Sequence, residues 1–243
     1  VKISFVGGGI RGKDEYLATY NSLLNNEGNS KYEVIFAGFN PPDGLMPSNF
    51  KYIVTDAKQP MAVEMASRQA IGEYLVITSD DCLYSSGYLD WFSYYVDKLY
   101  MKNSLIGTRF KSHGQFWDNL LVADHTKDNS PVMSMGTIFN RQTWDELGGI
   151  DRRFSGQLAD IDLALRFLSA GFMPFIMPGA YVEERHDTSI PSVLCHNTEV
   201  DGRNLLNQLW IIGDKVSDKR LDVVESYTDE ELEAEIKEIL QWA

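Results

Sequence analysis

Four mainly apolar segments, KISFVGG, YEVIFAGF, FKYIVTD and EYLVITS, fall within the first eighty residues, with two amphipathic stretches set among them. Short runs rich in β-branched and aromatic residues suit strands buried on both faces. DEYLATYNSLLNN brings Tyr16, Leu17, Tyr20, Leu23 and Leu24 to one helical face, and PMAVEMASRQAIG is a helix opened by Pro60 and closed by Gly72. The turn NPPDG separates the second strand from the third. The order strand, helix, strand, strand, helix, strand predicts an α/β chain with a mainly parallel central sheet flanked by helices.

With 243 residues, 44% of them hydrophobic, the chain can bury one large α/β core. Its net charge of −13 argues against a nucleic-acid binder, because phosphate backbones are held chiefly by Lys and Arg. Cys82 and Cys195 are the only cysteines, so there is no disulfide framework and no thiolate zinc site. No apolar run is long enough for a membrane span. The opening VKISFVGGG reads as a strand rather than a secretory leader, and the start at Val1 is read as an initiator Met removed or numbered out. A cytoplasmic location is the expectation.

EYLVIT runs directly into two carboxylates, Asp80 and Asp81. Ligands of open α/β sheets bind beyond the carboxyl ends of the strands. Adjacent carboxylates repel, so they need solvent, hydrogen-bond donors or a cation there. A divalent ion shared with a substrate diphosphate meets that need, and a solvated turn or an Asx turn is the plain alternative. GGGIRG spells a dinucleotide fingerprint at Gly7, Gly9 and Gly12, but no acidic residue ends the second strand to hold a ribose. Farther on, a helix starting near Ala159 carries Asp160 and Asp162 at its N-terminus, where the helix dipole favours carboxylates. YVEERHDTS then sets His186 after a strand-like segment.

The order of these three elements resembles the inverting glycosyltransferases of family 2, which have the GT-A fold, over residues 2–210. GEYLVITSDDC is similar to that family's acidic D-x-D segment, with Ser79 at the first acidic position and Asp81 at the last. LGGIDRRFSGQLADIDLALR is similar to its G-G-F-D…E-D-x-D-L…R segment, from Gly148 to Arg166. His186 with Ser189 resembles its later histidine and serine. The chain departs from the family in several places. GGGIRGKD stands for P-T-Y-N, AGFN lacks the carboxylate that contacts the base, Ala159 replaces a Glu, and Glu64 stands where Asn is usual.

The resemblance implies a GT-A-type nucleotide-sugar-binding fold. Residues 1–210 would form the transferase domain, with 1–100 as the nucleotide-binding half and 101–210 as the acceptor half. Residues 211–243 would be a C-terminal helical extension. The implied reaction moves a sugar from a nucleotide-diphosphate donor to a glycan or other hydroxyl acceptor, with inversion. Asp160 would be the general base, and Asp81 and His186 would hold Mn²⁺ or Mg²⁺. Gly7, Gly8, Asp80 and Asp81 would meet the nucleotide sugar. Trp117 and Asp162 are acceptor-side candidates, Asp162 also being read as structural, and Arg166 is read as pairing within the fold. The last segment opens on the capping-box pair Thr228 and Glu231 and packs on the domain or on a second copy in a homodimer. A decayed sugar- or nucleotide-binding module and a nucleotidyltransferase of similar fold are the rival readings.

Overall fold

The computed structural model describes residues 2–9, 13–24, 26, 31–44, 46–98, 103–112, 114–117, 121–124, 130–133, 136–156, 158–185, 193–211 and 219–241. In chain order the first half comprises β1 (Lys2–Gly8), α1 (Lys13–Leu24), β2 (Lys31–Gly38), β3 (Phe50–Val54), α2 (Gln59–Gln69), β4 (Tyr74–Ser79), β5 (Cys82–Tyr84) and α3 (Tyr88–Ser93). A π turn extends α3 over Tyr94–Lys98. The strands β6 (Ser104–Ser112), β7 (Gln115–Trp117), β8 (Leu121–Asp124), β9 (Ser130–Met133) and β10 (Ile138–Asn140) follow. The remainder holds α4 (Arg141–Glu146), α5 (Ala159–Ser169), β11 (Met173–Glu184), α6 (Val193–Leu209), β12 (Trp210–Ile211), β13 (Lys219–Arg220), α7 (Asp229–Glu235) and β14 (Glu238–Gln241).

The main sheet runs β14-β3-β2-β1-β4-β10-β6-β11-β5, with β7 joined to β6. Its β3-β2-β1-β4 part is parallel, as the alternation of elements predicts. Apolar side chains alternate between two cores. On one face Val6, Ile35, Ile77 and Leu105 pack with α2, α4, α5, α6 and α7. On the other, Phe5, Phe36, Val76 and Ile106 pack with α1 and α3. Tyr16, Tyr20 and Leu23 of α1 are buried as the helical spacing predicts, while Leu24 is exposed.

The C-terminal segment differs from its expected all-helical form. Thr228 and Glu231 do make the capping box, but α7 ends at Glu235. Residues 238–241 then pair antiparallel with β3. An edge strand offers a row of unpaired backbone groups, and pairing with it outcompetes a longer amphipathic helix.

The LGGID loop is held from two sides. Gly148 and Gly149 adopt φ of 84° and 66°. A Cβ on Gly149 would lie 2.6 Å from Glu64 Oε2, and that carboxylate accepts the Ile150 amide at 3.1 Å. Glu64 also accepts Arg68 Nε at 2.9 Å, so a side chain of α2 clamps the loop. Beneath it lies a buried ionic network. Asp162 accepts Arg166 Nε at 2.9 Å and Trp210 Nε1 at 2.8 Å, and also pairs with Arg220. Arg166 donates onward to the Leu147 and Gly149 carbonyls, each at 2.6 Å. Asp151 pairs with Arg153 and Arg220.

Removing one partner from a buried ion pair leaves an uncompensated charge, which costs about 3–5 kcal/mol. Asp162 is fully buried, so Asp162→Ala is expected to lose about that much stability in urea unfolding, because the buried Arg166 loses its carboxylate partner. Asp90→Ala, at an exposed position of α3, is expected to change it by less than about 0.5 kcal/mol.

Candidate active site

The carboxyl ends of β1, β2, β3 and β4 share one edge of the sheet. Gly7 and Gly8 lie inside β1 and are buried, paired with Thr78 and Ser79. A Cβ on Gly7 would fall 2.5 Å from the Thr78 carbonyl oxygen, so strand packing by itself requires glycine there. The chain then turns at Asp80 and Asp81, which are 0% and 5% exposed. These values exclude the solvated-turn alternative.

The turn is fastened by its backbone. Thr19 Oγ1 of α1 donates to the Asp80 carbonyl at 3.1 Å, and the Arg185 amide donates to the Asp81 carbonyl at 2.8 Å. Ser79 Oγ lies 3.4 Å from Asp80 Oδ1, so the serine at the first acidic position of the motif supports its neighbour. Tyr52, whose hydroxyl donates to the Gly9 carbonyl at 3.2 Å, has its phenol pushed upward, first by burial and further by the charge of Asp80. Burial pushes the Cys82 thiol far above its ordinary range as well, which leaves it inert.

Asp160 reaches the same edge by another route. Helix α5 packs against β6 and hands the chain to the amino end of β11, where the Met173 amide donates to the Asn103 carbonyl at 3.2 Å. Its own start therefore lies toward the opposite, carboxyl edge. Leu158 precedes it with φ of 75°, the one positive-φ non-glycine among the described residues. That left-handed backbone costs about 1–3 kcal/mol, and such strain gathers at functional sites. Ala159 is buried in the core, so the acidic side chain expected there has no room. Asp160 is half-buried and accepts the Ile161 amide at 2.9 Å. Burial pushes its carboxyl above the ordinary 3.8, with the Ile161 and Asp160 amides pulling the other way.

The remaining candidates fall elsewhere. Asp162 has both oxygens engaged by Arg166, Trp210 and Arg220, as its structural reading requires. The backbone of Trp117 pairs with Phe110 in the β6–β7 hairpin, and its side chain lies outside the described residues. His186 and Ser189 also lie outside them. The last described residue after β11, Arg185, is bonded through its amide to the Asp81 carbonyl. Among the described residues no group of three or more His, Cys, Asp or Glu could hold a metal ion. No helix among them is long and apolar enough to cross a membrane.

Sequence reasoning missed three contributors. The strain at Leu158 has no composition signal, because leucine is not a left-handed residue. Arg220 sits far along the chain from the aspartates it pairs with. Glu64 looked like a departure at a site position but serves as a loop clamp.

The sheet order and its flanking helices define an α/β fold built on a central, mostly parallel sheet. The fold is similar to that of S. aureus TarS. A crystal structure of TarS 1-349 superposes with a TM-score of 0.58 at 15% identity, covering 76% of this chain and 60% of that one. A crystal structure of TarS superposes with a TM-score of 0.56 at 10% identity, covering 74% of this chain and 36% of that one. The chain thus spans less than two thirds of either. No protein-family model and no curated protein matches it.

The raised carboxyl of Asp160 makes a signed prediction. The folded chain holds that proton more tightly than the unfolded one, so stability falls as pH rises from the ordinary 3.8 through the raised value. Asp160→Asn is expected to melt at or above the wild-type temperature at neutral pH. The difference should vanish near about pH 3, where both carboxyls are protonated. Thermal melts across pH check this.

Proposed function

We propose that the chain is a glycosyltransferase that moves a sugar from a nucleotide-diphosphate donor to an acceptor hydroxyl with inversion of the anomeric centre. The observation that carries this reading is a buried acidic turn, Asp80–Asp81, at the carboxyl end of β4, and it is supported by a partly buried carboxyl with a raised pKa, Asp160, at the start of α5. The GT-A-type fold shared with TarS supports the class of chemistry. Placement in family 2 rests on the segments GEYLVITSDDC and LGGIDRRFSGQLADIDLALR.

Inverting transfer is a single in-line displacement through an oxocarbenium-like transition state. Asp160 takes the acceptor proton as the new bond forms, and its raised pKa makes it a stronger base than an ordinary aspartate. The strained turn at Leu158 fixes where that carboxylate points. Asp80 and Asp81 receive the donor at the end of β4, with Asp80 on the ribose. Asp81 with His186 would hold Mn²⁺ or Mg²⁺, a Lewis acid for the departing diphosphate. A carboxylate and an imidazole suit Mn²⁺. The acceptor enters from the side of residues 101–210, and residues 211–243 buttress the domain.

Calorimetry with a panel of nucleotide sugars, with and without Mn²⁺, tests the reading. Metal-dependent binding of a nucleoside diphosphate, weakened in Asp81→Asn, is expected. Asp160→Asn is expected to keep that binding and lose transfer by about 10²–10⁴-fold. Transfer at the wild-type rate in Asp160→Asn would overturn the base assignment. Binding without any turnover by the wild type would indicate a decayed binding module, and release of pyrophosphate a nucleotidyltransferase.

A further inference from the structure

The hairpin of β6 and β7 carries a large apolar side chain that neither core absorbs. Phe116 is 45% exposed. Scattered exposed apolar residues are ordinary, but this one is framed on several sides. The Arg109 guanidinium lies over its ring at 4.4 Å from the centroid, and the Lys111 ammonium stands 6.0 Å away. Tyr181 meets the ring edge-on at 5.5 Å and 89°. Lys111 is in turn fixed by Glu183 at 2.7 Å. The ring is thus oriented by groups on two strands, β6 and β11, while it remains partly exposed.

Strand alternation decides which way this cluster looks. Leu105 packs with the core that contains α5, and Ile106 with the opposite one. With a period of two, Arg109 and Lys111 share the Leu105 face of β6. Phe116 pairs directly with Lys111, and Tyr181 with Arg109. Tyr181 holds that register because β11 carries a bulge between Met177 and Tyr181, a device that re-aims side chains beside functional sites. The cluster therefore occupies the carboxyl half of β6, on the face that α5 covers and at the edge where α5 begins. Asp160 stands at that beginning.

Resting on the glycosyltransferase reading, we propose that Phe116 is the platform for a sugar ring of the acceptor, with Arg109 and Tyr181 as positioning residues that hold the phenyl ring in place. The C–H bonds on the flat side of a pyranose carry partial positive charge and pack against the negative face of an aromatic ring. A ring already clamped by a cation and a neighbouring aromatic loses little side-chain freedom when the sugar arrives. The acceptor class that fits is accordingly a glycan rather than a lipid or protein hydroxyl. Its sugar would lie on the same side of the sheet as the base that takes its proton.

Immobilised oligosaccharides of hexose, N-acetylhexosamine and uronate type serve as the probe, with the whole chain as wild type, Phe116→Ala and Phe116→Trp. The wild type is expected to bind at least one class, Phe116→Ala about tenfold more weakly, and Phe116→Trp comparably to wild type. Equal binding by Phe116→Ala and wild type, or no binding to any class, overturns the proposal. Should Phe116→Ala fail to fold, the fluorescence of Phe116→Trp decides: a shift in emission with the bound glycan supports the platform, and no shift overturns it. Nucleoside-diphosphate affinity in the presence of Mn²⁺ is measured on the same three proteins. Its absence from the wild type would sink the transferase reading, whereas unchanged affinity beside lost glycan binding in Phe116→Ala supports the platform alone.

Discussion

The pairing of Asp162 with Arg166 and Arg220 is the contact on which the rest of the site is built. Asp162 and Arg166 stand on consecutive turns of α5, and the guanidinium continues into the carbonyls of Leu147 and Gly149. The same Arg220 that reaches Asp162 also reaches Asp151. Three chain segments, the LGGID loop, helix α5 and the 219–226 stretch, are therefore locked in one buried electrostatic unit. Buried ion pairs are poor sources of net stability, since desolvation opposes their attraction. Their value is geometric: a charge that cannot be left alone permits one arrangement only, and the start of α5 is thereby fixed over the sheet edge.

The C-terminal segment completes that frame from outside. Arg152 pairs with Glu225 and Glu231, Ser226 donates to the Gly148 carbonyl at 2.8 Å, and β14 closes the exposed edge of β3. What looked like an appendage is woven into both the loop and the sheet. A strand added late in the chain can cap an edge only because β3 is otherwise unpaired on that side.

Much of this was legible in the residues. The alternating apolar runs foretold the parallel strands, Pro60 the start of α2, and Thr228 with Glu231 the cap of α7. The acidic turn was visible because two carboxylates end an apolar strand, a conflict between neighbours in sequence. Less legible were features that depend on pairs distant along the chain. Glu64 and Ile150 are 86 residues apart, and only folding tells the carboxylate that its partner is an amide. Nothing local marks Phe116, since an exposed phenylalanine and a core phenylalanine are the same letter until the register of β6 and β7 assigns a face. The helical reading of the last segment failed for a related reason: its apolar spacing served a strand once an open edge lay beside it.

The two aspartates of ADID show how position, rather than residue type, assigns chemistry. Two steps along a helix rotate a side chain by about 200°, so Asp160 and Asp162 point to nearly opposite sides. Asp162 turns inward onto Arg166 and Arg220. Asp151 nearby is a sharper case: burial alone would raise its carboxyl, but the hydrogen bonds from Arg153 and Arg220 override that and pull it below the ordinary range. Asp160 turns away from every one of these guanidiniums and is left with burial and backbone amides, so its carboxyl moves the other way. Asp151, its charge secured by arginine, is bound into the frame and is a poor proton acceptor. Asp160, for which no such ion pair is formed among the described residues, keeps its affinity for a proton, and the rigidity supplied by the others fixes the start of the helix that carries it.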